Sequence, residues 1–370
     1  MRINIKNTPE RLELVKAMVD SDPIKSMQAK VALADFIAPV VQQVLNLASL
    51  APMLYTDLQF NEDDNPEIPL DMFYGTNVDQ VTVWQQSMAG GTGSSLVTGL
   101  QTLKLHTYEL DSAVSLTERN IRRGRLPVIS LALNRMAQEL LAKQERNAFY
   151  VVLRALGEAS TNGNKHCVGS TTANVLQLDD FNRLITRSKR INVAFNTGTP
   201  DKMYSNGATD LIMSPEMTEQ IRGFAYQPMN TRAGSLTTSG ATSVPLPDNV
   251  REGIYKAGGE SEIYGITLHE ALEFGVSAAY NNLFGAYQVG QVAGGNSGNF
   301  SASADEIILG FDTTRGAIIR PVQTFDDNGG TVKVDVDDSF TKRSGKVGWY
   351  SQIVEGRTVI DSRSLVGLIV

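Results

Sequence analysis

Few residues in this 370-residue chain have the type and spacing that catalysis or ligand binding needs. The three histidines, His106, His166 and His269, lie far apart, and no HExxH or HxxxH spacing brings two onto one helix face. Cys167 is the only cysteine, which excludes a disulfide framework and any multi-cysteine metal site within one chain; in its polar context it reads as an unpaired thiol in a loop. GxxxxGK[ST] is absent. The stretch GGTGSSL offers Gly91 and Gly93, but Leu96 stands where a third dinucleotide-loop glycine belongs, so a flexible turn is the simpler reading. GGNSGNF places Ser297 as a nucleophile elbow would, yet Asn299 replaces the closing glycine and no apolar helix follows. The run Glu62, Asp63, Asp64, Asn65, Glu67 lacks the alternating spacing of a calcium loop and is cut by Pro66, which leaves a solvated turn. Asp335, Asp337 and Asp338 alternate like the wet face of a strand. We therefore expect no catalytic residue, no cofactor and no metal, and no enzyme.

One charged cluster stands out: Glu118, Arg119, Arg122, Arg123 and Arg125, just ahead of a long helical pattern. It reads either as a solvated helix–loop junction or as a contact with another subunit or a polyanion, since arginine suits carboxylate and phosphate alike. The net charge of −7 argues against a protein that grips nucleic acid over most of its surface but leaves room for one basic face. With 42% hydrophobic and 20% charged residues the chain is in the globular range. No segment holds the ~20 apolar residues of a membrane span. The first residues lack a signal-peptide core, so the expectation is a soluble chain made in the cytoplasm.

The elements that would position these groups fall in a clear order. Residues 8–20, with Thr8 and Pro9 as helix-start signals and Leu12, Val15 and Val19 on one face, predict a short amphipathic helix. Residues 27–51 predict a second. Neither makes a core alone, and together they read as an N-terminal arm over residues 1–50. Residues 54–60, 78–84 and 100–110 have strand patterns, with SMAGGTGSS between the last two. The simplest reading is a long two-stranded ribbon with a flexible tip, within residues 51–112. An isolated ribbon is marginal in water, so one this long is expected to pack on another chain. Residues 127–156 carry no internal glycine or proline and place Ile129, Leu133, Met136, Leu140, Phe149, Val152 and Leu156 at helical spacing. They predict a helix of roughly 45 Å that starts at Pro127 and stops at Gly157. Residues 161–308 read as mixed, with a helix opening at Asp179 and Asp180, and a buried strand before a helix capped by Ser214 and Pro215. Residues 309–370 read as strands, with hairpins expected at Asn328-Gly329 and at Glu355-Gly356.

That order resembles the major capsid proteins of tailed bacteriophages with the Hong Kong 97-type fold. The residues that carry the resemblance are WQQSMAGGTGSSLVTGLQTLKLHTYELDSAVSLTERNIRRG at 84–124, the helix ending KQERNAFYVVLRAL at 143–156, DLIMSPEMTEQIR at 210–222 and GWYSQIVEGRTVIDSRSLVGLIV at 348–370. The resemblance covers essentially the whole chain and rests on architecture and pattern. It implies an α+β fold with an N-terminal arm at 1–50, an extended β-ribbon or E-loop at 51–112, and a connector with the spine helix of a peripheral domain at 113–160. A mainly axial domain would follow at 161–308, and residues 309–370 would be shared between the peripheral and axial domains. It further implies a structural subunit of an icosahedral head, self-assembling into hexamers and pentamers that enclose double-stranded DNA without sequence specificity. Portal, scaffold and cement proteins would be its other partners, and the virion, assembled in the host cytoplasm, its location. A bacterial nanocompartment (encapsulin-like) shell is the alternative, and a soluble hydrolase a third class that the absent triad spacing disfavours. Some family members crosslink a ribbon lysine to a neighbour. Lys104 is the ribbon's only lysine and lies away from the glycine-rich tip, so no crosslink is expected. About fifty residues precede the ribbon, which implies a separate scaffold or a mature form.

Charge sharpens the picture. Residues 51–110 hold eight acidic residues and one lysine, whereas residues 118–146 hold seven basic and three acidic. The expected inter-subunit contact sets Asp57, Glu62, Asp63 and Asp64 of one subunit against Arg119, Arg122, Arg123 and Arg125 of its neighbour, guiding register more than strength.

Overall fold

A computed structural model describes residues 9–18, 20, 22–48, 50–69, 102–119, 126–161, 166–193, 207–223, 261–287, 299–325, 330–337 and 345–370. The elements in chain order are α1 (Pro9–Ala17), α2 (Pro23–Ala48), α3 (Ala51–Leu54), β1 (Thr56–Phe60), β2 (Glu67–Pro69), β3 (Thr102–Lys104), β4 (Thr107–Thr117) and α4 (Leu126–Thr161). Then come β5 (Cys167–Gly169), α5 (Leu178–Val193), β6 (Asp210–Met213), α6 (Pro215–Gly223), β7 (Ser261–Ile263), β8 (Ile266–Glu270) and α7 (Ala279–Tyr287). The last strands are β9 (Ile307–Phe311), β10 (Ile318–Gln323), β11 (Lys333–Asp337), β12 (Lys346–Gly356), β13 (Thr358–Val359) and β14 (Leu365–Ile369). The fold is α+β. It divides into two units: residues 1–70, 101–148 and 319–358 form the first, and residues 71–100, 149–318 and 359–370 the second.

The first unit is built on a sheet of order β1-β10-β12-β11, with β4 also paired to β12. The longest pairing runs antiparallel from Lys346↔Thr117 to Gly356↔Thr107. Along β12 the odd-numbered residues Val347, Trp349, Ser351, Ile353 and Glu355 are all buried, the period-2 signature of a strand with one face inward. Val347, Trp349 and Ile353 join Leu133, Met136 and Leu140 of α4 in one core. The same core takes Val15 and Met18 from the first helical segment, and Leu33, Ala34, Ile37 and Val41 from α2. The expected arm is thus packed on its own chain's sheet. Apolar periodicity announces that a face must be buried but does not say by what, and here β11 and β12 supply the partner. Asp22 starts α2: its carboxylate accepts the Ile24 amide at 3.1 Å, with Pro23 at the first helical position.

Two further expectations about the ribbon are corrected. Residues 56–60 pair in parallel with β10, from Thr56↔Ile319 to Phe60↔Gln323, and residues 107–117 pair with β12. Neither belongs to a ribbon, so the expected bounds of 51–112 were too wide at both ends. Strand patterns close in sequence suggest neighbours, but these strands find partners more than 200 residues away. What does pair as a ribbon is β2 with β3, Glu67↔Lys104 to Pro69↔Thr102, in a two-stranded sheet of its own. The strand pattern at 78–84 and the SMAGGTGSS turn lie outside the described residues.

In α4 the residues expected on one face, Leu133, Met136, Leu140, Phe149, Val152 and Leu156, are buried; the side chain of Ile129 lies outside the described residues. The helix does not stop at Gly157 but continues to Thr161, for 36 residues. A mid-helix glycine costs about 1 kcal/mol. The Arg154–Glu158 pair at 2.8 Å, one turn apart across the glycine, and the edge-to-face contact of Tyr150 with Tyr287 help carry the helix past it.

The second unit's sheet has the order β5-β14-β9-β6-β8-β7. Leu211, Met213, Ile308, Val366 and Leu368 face a core shared with Phe181 and Leu184 of α5 and Met217 and Ile221 of α6. Ile212, Ile307 and Leu309 alternate to the opposite face and are equally buried, next to Leu156 and Asn281. As expected, Ser214 caps α6, its hydroxyl accepting the Met217 amide at 3.1 Å, and Pro215 is its first residue. Asp180 is a reciprocal cap on α5, accepting the Gln177 amide at 3.0 Å and the Thr171 amide at 2.9 Å. The β7–β8 hairpin turns on Tyr264 and Gly265, with φ of 56° and 79°, the left-handed pair that a two-residue turn requires.

Both hairpins expected near the C-terminus are corrected. Phe325 and Gly330 form an antiparallel bridge on either side of residues 326–329, which lie outside the described residues, but β11 pairs with β12 and not with β10. The chain after Glu355-Gly356 does not fold back on β12; β14 joins β9 and β5 in the second unit's sheet. Cys167 is corrected from loop to a buried strand residue in β5.

A Cβ built on Gly310 would stand 2.8 Å from both Leu211 Cδ2 and Val366 Cγ2, whereas one on Gly223 would meet nothing within 4 Å. Gly310→Ala is expected to cost about 1–3 kcal/mol of stability, and Gly223→Ala to be neutral or stabilising by up to about 1 kcal/mol. Urea unfolding of the two variants checks the contrast, and equal stabilities would contradict it.

Candidate functional site

The polar groups brought together most tightly are in the first unit, around Glu355. This carboxylate is completely buried at the inward end of β12. Oε2 accepts from Arg320 Nε on β10 at 3.0 Å and from Gln144 Nε2 on α4 at 3.0 Å. Oε1 accepts from the Tyr108 hydroxyl on β4 at 2.9 Å, and Arg357 Nη2 reaches both oxygens at 3.2 Å. The Arg357 guanidinium, 2% exposed, stacks over the Tyr55 ring at 4.7 Å from its centroid. Tyr55 in turn donates to the Ala148 carbonyl at 2.8 Å. Burial pushes the Tyr55 and Tyr108 hydroxyls above the usual phenol range, so both are neutral donors. Burial works against the Arg357 charge, and Glu355 beside it reverses that, holding the guanidinium above its ordinary pKa.

Two cations against one buried anion is an arrangement for holding elements in place. Nothing in it is poised to attack or to transfer a proton, because the carboxylate is fully coordinated by donors. The signal was in the sequence: the alternation that puts Val347, Trp349 and Ile353 inward puts Glu355 inward too, and a buried carboxylate requires a cation. Reading Glu355-Gly356 as a turn concealed it.

The expected contact residues fall around this cluster. Asp57 on β1 is 3.5 Å from Arg320 Nη1 and half-exposed, so it has a partner within its own chain. Glu62, Asp63 and Asp64 are exposed in the turn between β1 and β2, with the Asp64 amide donating to Asn61 O at 3.0 Å. Arg119 is exposed just after β4, where the Glu118 amide donates to Gly345 O at 2.9 Å. Arg122, Arg123 and Arg125 lie outside the described residues. At the ribbon root, Lys104 is exposed and 3.5 Å from Glu67, and the Leu105 amide donates to Pro66 O at 3.0 Å.

The groups set aside as structural are accounted for in kind. His166 is buried with Nδ1 2.9 Å from the Leu365 carbonyl; a carbonyl only accepts, so Nδ1 carries the proton. His269 Nε2 lies 3.0 Å from Asp210 Oδ1 on the neighbouring strand, and His106 is exposed. Asp335 is exposed on β11, as its alternation implied. Among the described residues no group of three or more His, Cys, Asp or Glu side chains is arranged to hold a metal ion. No described helix is long and apolar enough to cross a membrane. Ser297 lies outside the described residues.

Glu355→Ala leaves Arg320 and Arg357 without their buried counter-charge, an expected loss of about 3–5 kcal/mol. Asp57→Ala removes only a half-exposed pair and should cost no more than about 1 kcal/mol. Denaturant unfolding of the two variants compares them, and similar losses would refute the central place given to Glu355. Burial lowers the His166 pKa below its ordinary value. A histidine held neutral contributes stability that is present above about pH 6.5, its unfolded value, and lost as pH falls below it toward the folded pKa. His166→Asn should flatten the melting-temperature profile in that window, and an unchanged profile would contradict the assignment.

No family model and no curated protein matches this chain. Solved structures do. The capsid of an empty GTA particle is 11% identical, with a TM-score of 0.46 over 86% of this chain and 88% of that one. The capsid structure of the cyanophage P-SCSP1u is 13% identical, with a TM-score of 0.45 over 86% of this chain and 87% of that one. An encapsulin complex from Synechococcus elongatus is 10% identical, with a TM-score of 0.43 over 86% of this chain and 85% of that one.

Proposed function

We propose that the chain is a structural subunit of a bacteriophage head, self-assembling into the hexamers and pentamers of an icosahedral shell around double-stranded DNA. The observation that carries this reading is the isolated ribbon root. Among the described residues β2 and β3 pair with each other and with no larger sheet, and residues 70–101 lie between them in sequence. A two-stranded ribbon has no stability of its own to spare, so a long one needs a surface to lie on, which in a shell is the neighbouring subunit. The sequence resemblance at 84–124 begins within this segment and runs on through β3 and β4.

On this reading the ribbon is the E-loop, α4 the spine helix, the first unit the peripheral domain and the second the axial domain. The shell needs no catalytic residue, in keeping with a Glu355 cluster built for rigidity. The exposed acids Glu62, Asp63 and Asp64 at the foot of the ribbon meet Arg119, Arg122, Arg123 and Arg125 of a neighbour, while Asp57 keeps Arg320. Portal, scaffold and cement proteins are the other partners. The virion is the location, after assembly in the host cytoplasm.

Electron microscopy of the full chain tests this. Wild-type protein should form closed particles. A variant lacking residues 86–97 should stay folded by circular dichroism and form none. Arg122→Glu with Arg123→Glu should assemble more slowly and with altered salt dependence. A wild-type chain that stays monomeric under all assembly conditions would overturn the reading. Normal particles from the deletion would remove the ribbon from it, and an unchanged salt dependence would remove the charge contact.

A further inference from the structure

The second unit has two unlike ends. Its strands β5, β14, β6 and β8 all run the same way, since β5 is parallel to β14, β6 parallel to β8, and β9 antiparallel to both β14 and β6. One end of the sheet therefore collects the C-termini of these four strands and the other their N-termini.

At the C-terminal end, residues 271–278 follow β8 as a tightly wired loop. The Ala271 amide donates to Met213 O at 2.9 Å, Ser277 to Ala302 O at 2.8 Å and Tyr280 to Glu273 O at 3.2 Å. The Phe274 ring is buried edge-on against Phe149, 5.6 Å between centroids. Ser277 holds φ of 61°, uncommon for a residue with a side chain, and Gly275 holds φ of 133°, open to glycine. The product of this bracing is that Leu272 is held 79% exposed and Val276 50% exposed. The exposed carboxylates nearby are Glu273 on the loop and Glu216 and Glu219 one turn apart on α6, with Glu216 Oε2 next to Gly275; Arg222, the exposed cation of that helix, is 3.7 Å from Glu270 at the end of β8.

The opposite end carries exposed cations. α5 starts beside Thr171, just past the C-terminus of β5, and runs back along the sheet. Its last turns bring Lys189 against Gly207, just ahead of the N-terminus of β6, and Arg187 near His166, just ahead of β5. Lys189 and Arg190 are exposed there.

We propose that copies of this chain associate head to tail through the second unit, Lys189 and Arg190 of one copy meeting the Leu272–Val276 knob rimmed by Glu219 and Glu273 of the next. The two surfaces are different and lie at opposite ends, so the contact is heterologous and propagates around a ring. Apolar side chains supply the desolvated centre and the charges set orientation. This rests on the shell-subunit reading and names which faces of the axial unit meet.

Reversing one end and then both tests it on the purified full chain. Lys189→Glu with Arg190→Glu, and separately Glu219→Lys with Glu273→Lys, should each lower the assembled fraction in sedimentation velocity by at least about tenfold at ~0.15 M salt. All four changes in one chain restore opposite charges and should recover assembly to within about threefold of wild type. Single-end variants that assemble like wild type overturn the proposal and leave the shell reading intact. So does a four-change chain that fails to recover while keeping the wild-type melting temperature. Wild-type protein that never assembles overturns both. If any reversal lowers the melting temperature, Lys189→Gln with Glu273→Gln reads the same contact: a flatter salt dependence supports it, and a wild-type salt dependence overturns it.

Discussion

The first unit depends on one buried carboxylate. Glu355 joins β12 to β10 through Arg320, to α4 through Gln144 and to β4 through Tyr108, while Arg357 carries the contact on to Tyr55 just ahead of β1. These segments are scattered from residue 55 to residue 357, so no local pattern could hold them together. Buried ion pairs are weak sources of net stability because desolvation consumes most of the Coulombic gain. What such a cluster does supply is a penalty for wrong arrangements: any register that moves Glu355 strands two guanidinium groups in a dry interior.

That constraint reaches the ribbon. β1 leads into the acidic turn and then β2, and β3 leads within three residues into β4. Tyr55, Asp57 and Tyr108 therefore tie the chain on both sides of residues 70–101 to the same charge cluster. Gly356 tightens the joint further. A Cβ there would collide with the His106 carbonyl and stand 2.9 Å from Pro321 Cγ, so only glycine lets the chain between β3 and β4 pass so close to β12. On the shell reading proposed above, a ribbon that lies on a neighbour is useful only if its direction is set beforehand, since freedom at the root would add an ordering cost to every contact.

How much of this the sequence revealed depended on distance along the chain. Helices were legible because their partners are a turn away. The α4 face was read correctly at Leu133, Met136, Leu140, Phe149, Val152 and Leu156, as was the Ser214-Pro215 start of α6. Strands were legible as strands but not as pairs. The pattern at 54–60 marks a strand without naming its partner, and the Asn328-Gly329 signal points to a hairpin with the strand before it, whereas β1 pairs with β10 and β11 with β12. Both units are discontinuous, and a unit assembled from three stretches of chain leaves no trace in any single window. Of the candidate contact residues, Glu62, Asp63, Asp64 and Arg119 are exposed, and half-exposed Asp57 pairs with Arg320. That last pairing was illegible because the arginine lies 263 positions on.

The chain uses charge in two ways that differ in environment. Around Glu355 opposite charges are buried together, where salt does not reach them and where the register of strands is decided. At the ends of the second unit and in the turn before β2 they are exposed and sorted by sign: acids near Leu272 and at residues 62–64, bases at Lys189 and Arg190. Like charges gathered on a surface contribute nothing to folding and repel one another slightly. They become favourable only when a second surface of opposite sign approaches. On the head-to-tail contact proposed above, a fold that settles its internal pairing with buried charges keeps its exposed charges for a second copy of the same chain. Screening by salt acts on exposed charges such as these and leaves the buried cluster alone.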